Sequence, residues 1–192
     1  MHLLKCGSIR FYLVFFLILS MAIGGSAIAA FADSSTGTTV AVNAGTLTES
    51  GPASVSATAV TLNGSDQTTT YSLGLTVTEA RGSGAGWNLT ITSTTFTSGS
   101  HTLSTSASSI IAAPAVSCNA GSSCTNPVNG MSYPAGLPAG ATAPAAVKFF
   151  NAAVNTGLGK FTITPTVTIS IPANAFSGSY TSTVSVAIVS GP

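Results

Sequence analysis

Between Lys160 and Ile171 the sequence repeats every two residues. Phe161, Ile163, Val167, Ile169 and Ile171 are apolar, and Thr162, Thr164, Thr166, Thr168 and Ser170 alternate with them. A helix would scatter the apolar set around its circumference, whereas a strand gathers it on one face, so the period decides for β structure. Thr69–Glu79 repeats the pattern with Tyr71, Leu73, Leu75 and Val77, and Trp87, Leu89 and Ile91 resume it after a glycine-rich turn. Threonine on the opposite face favours strands and meets water without charge. A strand with one apolar face must cover it, and a second sheet is the simplest cover.

Weaker alternation marks Thr38–Leu47 and Val55–Leu62 as strands, and His101–Thr105, Ile110–Val116 and Val147–Ala152 are clearer. Gly178–Val189 closes the series with Tyr180, Val184, Val186 and Ile188 on one face. Gly51-Pro52, Asn63-Gly64, Ser98-Gly99-Ser100 and Leu158-Gly159 are turn signals between these runs. Pro165 falls on the inward register without an N–H to give, which predicts an edge position or a bulge for its strand. The last two strands are expected to form a hairpin across Pro172–Gly178. The pattern predicts an all-β fold, a single β-sandwich of about eight or nine mostly antiparallel strands with Greek-key, Ig-like connections. Asn119–Ala146 stands apart, rich in Gly, Pro and Ala and poor in periodicity. Two readings stay open for this long loop: a surface excursion, or a lid in which Met131, Tyr133 and Leu137 fold back over one end of the sandwich.

The N-terminus has a different grammar. Lys5 and Arg10 precede an apolar run, Phe11–Ile23, and Ala30-Phe31-Ala32 gives an A-x-A pattern. This order is that of a secretory signal peptide over residues 1–32, cleaved between Ala32 and Asp33. An uncleaved anchor is the alternative, but the run is short against the ~20 residues of a membrane span. One domain, residues 33–192, then remains, with no later membrane span, and the expected location is extracellular, associated with the cell surface. Of the three cysteines, Cys6 goes with the leader, which leaves Cys118 and Cys124. Outside the cell a disulfide between them is the default, and closing so short a loop contributes about 2–3 kcal/mol by chain entropy. Two free thiols are the alternative.

Charge excludes several functions. Residues 33–192 carry three basic side chains (Arg81, Lys148, Lys160) against four acidic ones (Asp33, Glu49, Asp66, Glu79). Nucleic acid binding needs clustered Lys or Arg, and none exists. The carboxylates are scattered and the lone His101 has no acidic neighbour, so neither acid–base nor triad chemistry is expected, and the chain is not read as an enzyme. Zinc would need two ligands beyond the cysteines, and no cofactor is expected. The glycines of Arg81–Gly86 invite a phosphate-loop reading, but a strand follows them where a helix N-terminus is required.

That glycine-rich corner carries a resemblance. Thr76–Phe96, TVTEARGSGAGWNLTITSTTF, resembles the signature region of WxL-domain proteins of bacterial surfaces, a V-x-D/E-x-R-G-[ST]-x-A-G-W-x-L stretch ahead of a strand. Trp87-Asn88-Leu89 is the matching triplet, supported by Arg81, Gly82 and Gly86, and Gly45–Ser50 and Ile171–Pro192 extend the similarity. Val186-Ala187-Ile188 stands where the family usually has a second W-x-L. The resemblance implies a module that associates non-covalently with cell-wall peptidoglycan or with other surface proteins. It implies contact residues in this region: Trp87, Leu89, Arg81 and Asn88. From its chemistry alone Trp87 suits either core packing or an exposed ligand platform. A second functional reading is a self-associating subunit of a surface layer or fibre, because the strands lack the lysines that block edge pairing.

Overall fold

The computed structural model describes residues 37–192, so Ala32 and Asp33 lie outside the described residues. The chain divides after Ala41; the described part of the first unit, residues 37–41, has no regular structure, and Val42–Pro192 holds every strand among the described residues. Fourteen strands are present: β1 (Leu47–Ser50), β2 (Gln67–Ser72), β3 (Leu75–Glu79), β4 (Trp87–Thr94), β5 (Thr97–Ser98), β6 (His101–Thr102), β7 (Ser108–Ile110), β8 (Ala115–Cys118), β9 (Ala135–Gly136), β10 (Ala139–Gly140), β11 (Val147–Ala152), β12 (Gly159–Thr164), β13 (Thr166–Ile171) and β14 (Val184–Ser190). The fold is all-β and sandwich-like, and its pairs are antiparallel except β10 with β4.

The higher strand count comes from bending. The order β3-β12-β8 in one sheet, which β1 flanks, is continued by β2-β13-β7 in another, which β9 flanks. Expected strand Thr69–Glu79 crosses between them as β2 and β3, and Lys160–Ile171 crosses as β12 and β13. Their pairing keeps one register throughout, from Gln67↔Ile171 to Glu79↔Gly159. Ile110–Val116, expected as one strand, crosses likewise as β7 and β8, with Ile111–Pro114 spanning the bend. The two sheets are therefore one bent sheet. Pro165 sits at the bend of an interior strand, neither on an edge nor in a bulge, so the missing N–H falls where the ladder already turns. The alternation survives the corner: Tyr71, Leu73, Leu75 and Val77 are buried opposite Val167, Pro165, Ile163 and Phe161.

Strand β4 centres a further sheet, with β14 on one side and β11 and β10 on the other, and β5 and β6 form a separate two-stranded sheet. The expected hairpin between the last two strands does not form: β14 pairs β4, and Pro172–Thr183 carries the chain across from β13. A register shift between Lys148 and Phe150 sets two β11 residues against one of β4. This bulge lets the consecutive Phe149 and Phe150 both be buried, which strict alternation forbids. Trp87, Leu89, Ile91, the two phenylalanines and the buried faces of the bent sheet form one core.

Two weak alternations do not become strands as read. Thr38–Leu47 contributes only its last residue, to β1, and Val40 and Val42 are exposed. Val55–Leu62 has no ladder, and its chain is held beside β2 by Thr69 Oγ1 donating to the Thr58 carbonyl at 2.6 Å and Gln67 Nε2 to that of Thr61 at 2.9 Å.

Asn119–Ala146 folds back. Strand β9 joins β7, β10 joins β4, and Leu137 between them is buried. The amides of Ser93 and Thr95 donate to Pro138 and Gly140 carbonyls at 2.9 and 2.8 Å. Tyr133, half-buried against the core, donates its hydroxyl to the Phe149 carbonyl at 2.7 Å. A segment without periodicity thus stitches the bent sheet to the β4 sheet through isolated backbone bonds.

Candidate functional site

The signature corner begins where β3 ends, at Glu79, a carboxylate with only 5% exposure. Arg81 covers it: Nε donates to both carboxylate oxygens at 3.1 and 3.0 Å, and Nη2 forms an ion pair with Oε2. The same guanidinium reaches the Gly86 carbonyl at 2.9 Å and the Ser190 hydroxyl at the end of β14. Glu79 raises the Arg81 pKa above its ordinary value, chiefly by these hydrogen bonds. Asn88 Nδ2 donates to the Gly191 carbonyl at 2.7 Å, and the Gly191 amide donates to Gly86 at 3.1 Å. Arg81 and Asn88 thereby fasten the last strand to the corner.

Of the corner's glycines, Gly86 is there for room. Gly86 has φ +72°, and a Cβ on it would lie 2.5 Å from the Ala152 carbonyl oxygen. Trp87 has no exposed surface; its ring packs on Phe150 with centroids 5.8 Å apart, and Nε1 donates to the Gly157 carbonyl at 2.9 Å. Leu89 is equally buried. Of the two roles open to the tryptophan, the ring occupies the core position. Arg81 alone among these four keeps notable side-chain exposure, 20%. The structure brings the four residues together, but as the fastening of a core. Glu79 stands in the signature itself, at its D/E position, but the partners Gly157, Ser190 and Gly191 are far away in sequence and no local signal marks them.

Cys118 and Cys124 are disulfide-bonded with Cα atoms 6.0 Å apart, at the end of β8 and the root of the fold-back segment. No group of three metal-ligating side chains occurs among the described residues. No helix long and apolar enough to cross a membrane occurs among the described residues.

A second feature was not visible in the sequence. A groove of about 960 Å³ opens between residues 52–62, residues 175–184 and the inner face of β2 and β13. Tyr71, Leu73, Leu103, Ile169 and Ile171 are apolar lining residues, and serines and threonines alternate with apolar residues along the rest of the lining. None of its lining residues carries a charge. The Tyr71 hydroxyl is buried and has no hydrogen-bond partner, and desolvation pushes its pKa up to about 12. Phe176, on the rim, is 62% exposed and stacks on His101 with ring centroids 3.9 Å apart. Tyr71 and Ile169 were legible as inward residues, but the gap in front of them depends on a segment, 52–62, that forms no ladder.

No curated protein and no solved structure matches the chain. The family model for the WxL domain, described as surface and cell wall-binding, matches residues 32–191. The glutamate–arginine pair, the glycine turn and the buried W-x-L triplet give that match a physical basis, and the chain belongs to the WxL domain family.

Proposed function

We propose that this protein is a secreted, non-catalytic module that attaches without a covalent bond to the peptidoglycan of a bacterial cell wall, after removal of residues 1–32. The family places it among cell wall-binding surface domains. The observation that carries the finer reading is the uncharged groove, in which serines and threonines are interspersed with apolar residues. Such a surface suits a ligand of neutral hydroxyl and amide groups, and contact without charge is insensitive to screening. Purified protein mixed with washed wall sacculi should co-sediment, equally at low and high salt. Protein left in the supernatant at every salt concentration would sink the proposal.

One observation favours self-association as a second reading. Strands β2 and β14 carry no charged residue and each has a backbone edge without a ladder partner among the described residues. Growth of light scattering with protein concentration, in the absence of walls, would support it.

A further inference from the structure

Val40 and Val42 are 87% and 90% exposed, more than any other large hydrophobic residue among those described. They stand two apart, so an extended chain puts both on one face. Thr38, Thr39, Val40 and Val42 are β-branched, and no charged side chain occurs from Ser34 to Thr48. Thr38–Ala44 nevertheless makes no backbone–backbone hydrogen bond among the described residues. The chain is first held at Gly45, whose amide donates to the Ala80 carbonyl at 2.8 Å. An uncharged, β-prone segment with an apolar face and an unpaired backbone is a strand without a sheet.

The groove has the converse property. Residues 52–62 on one side and 176–180 on the other make no backbone–backbone hydrogen bond among the described residues, and both stretches are mostly exposed. Side chains meet only a few of their carbonyls, those of Thr58, Thr61 and Phe176. Leu73, Leu103, Ile169 and Ile171 supply aliphatic lining on the inner face of the sheet. Backbone donors and acceptors along two walls, with aliphatic side chains between, complement an extended peptide. Its backbone meets the walls and its alternate apolar side chains meet the lining. With no charge in the lining, a charged segment would be desolvated there without compensation, and Thr38–Ala44 brings none. The wall 52–62 has no ladder to hold it, so it can shift to admit a strand.

We propose that the groove of one copy receives Thr38–Ala44 of a second copy, with Val40 and Val42 against the aliphatic lining and the segment's backbone bonded to the groove walls. This contact rests on the self-association reading and names its donor and its acceptor. In strand geometry Thr38–Ala44 extends about 23 Å. Covered on three sides, it gives an interface on the order of 1,000 Å², at the lower edge of specific association, so the contact is reversible. Segment and groove are different surfaces, so the contact runs head to tail and repeats as an open chain. The copy at one end of such a chain keeps its groove empty, which leaves that end for the wall.

The readout is the weight-average mass of the purified protein by light scattering over a concentration series. It should rise with concentration and pass the dimer without a plateau. Val40→Asp combined with Val42→Asp should weaken association by about a hundredfold or more, because two carboxylates would enter an uncharged groove. Thermal unfolding of the dilute protein should not change, since both side chains are exposed. Phe176→Asp, on the exposed rim of the groove, should weaken association about tenfold. At a concentration where neither variant associates alone, a mixture of the two should associate and stop at the dimer. Each such pair holds only one intact segment facing one intact groove. Association unaffected by the valine changes overturns this contact and leaves self-association to the β2 and β14 edges. A mixture that stays monomeric overturns the pairing of segment with groove. Unmodified protein that stays monomeric at every concentration removes both this contact and the self-association reading.

Discussion

The backbone amide of Leu73 donates to the carbonyl of Pro165 at 3.0 Å, at the point where both long strands leave one sheet for the other. Proline cannot return the second bond of the pair, so the ribbon is joined there by a single hinge bond. Gly74 follows Leu73 with open space around its Cβ position and no left-handed φ. The bend therefore does not require glycine. Gly74→Ala should stabilise the protein by about 0.4–1 kcal/mol, by restricting the unfolded chain. A urea midpoint that falls would show that the corner needs glycine after all.

Gly157 is the opposite case. Its φ is +69°, and a Cβ would lie 2.6 Å from that of Ala152 and 2.7 Å from Trp87 Nε1. Gly157→Ala should cost several-fold more than Gly82→Ala, which has the same kind of φ but open space, and for which ~1 kcal/mol is expected. Trp87→Phe keeps a ring but orphans the Gly157 carbonyl and leaves a cavity, at about 2–4 kcal/mol. Equilibrium denaturation of the three variants should rank them in this way.

The pair at the corner is asymmetric, with Glu79 nearly covered and Arg81 partly open to solvent. Arg81→Ala leaves a carboxylate buried without its partner and should cost about 3 kcal/mol, the lower end for buried pairs because the guanidinium is partly screened. Adding Glu79→Gln should restore part of the loss. Additive effects in this double-mutant cycle would mean that the two side chains do not act together.

Tyr71 makes the fold sensitive to alkali. Its ordinary pKa of 10.0 is pushed up to about 12 by burial, so between those values the unfolded chain has lost a proton that the folded chain keeps. Stability contributed by the neutral phenol is complete below pH 10 and is lost as pH rises toward 12, by an amount on the order of 3 kcal/mol. Tyr71→Phe should flatten this part of the stability profile, and it should be as stable as the parent at pH 7 or more so, because the hydroxyl lacks a partner. An unchanged alkaline slope in the variant would assign the effect to another group.

The fold was legible where one face of a strand is apolar and the other is not. Alternation in Thr69–Glu79 and Lys160–Ile171 gave the correct inward residues even through the corner, because a bend preserves which face is buried. It could not reveal the corner itself, nor that β14 chooses β4 over β13, since pairing depends on positions far apart in the chain. Val55–Leu62 alternates without forming a strand, and side-chain bonds from Gln67 and Thr69, not a backbone ladder, tie it to the edge of β2. The fold-back of Asn119–Ala146 is carried by backbone bonds to Ser93, Thr95 and Ser108, which leave no side-chain signature. The four signature residues were found by motif, but their roles came from partners such as Gly157 and Ser190 that sequence cannot connect to them.

The fastening of β14 also sets a timetable. Arg81 is 109 residues ahead of Ser190, and Asn88 is 103 ahead of Gly191. A ribosome extends a chain by about 5–20 residues per second, so roughly 5–20 s separate the first member of each pair from the second. For that interval the β4 sheet lacks one flank and the corner lacks its clasp. The β4 sheet therefore cannot be completed, nor its clasp closed, until the final strand has been made.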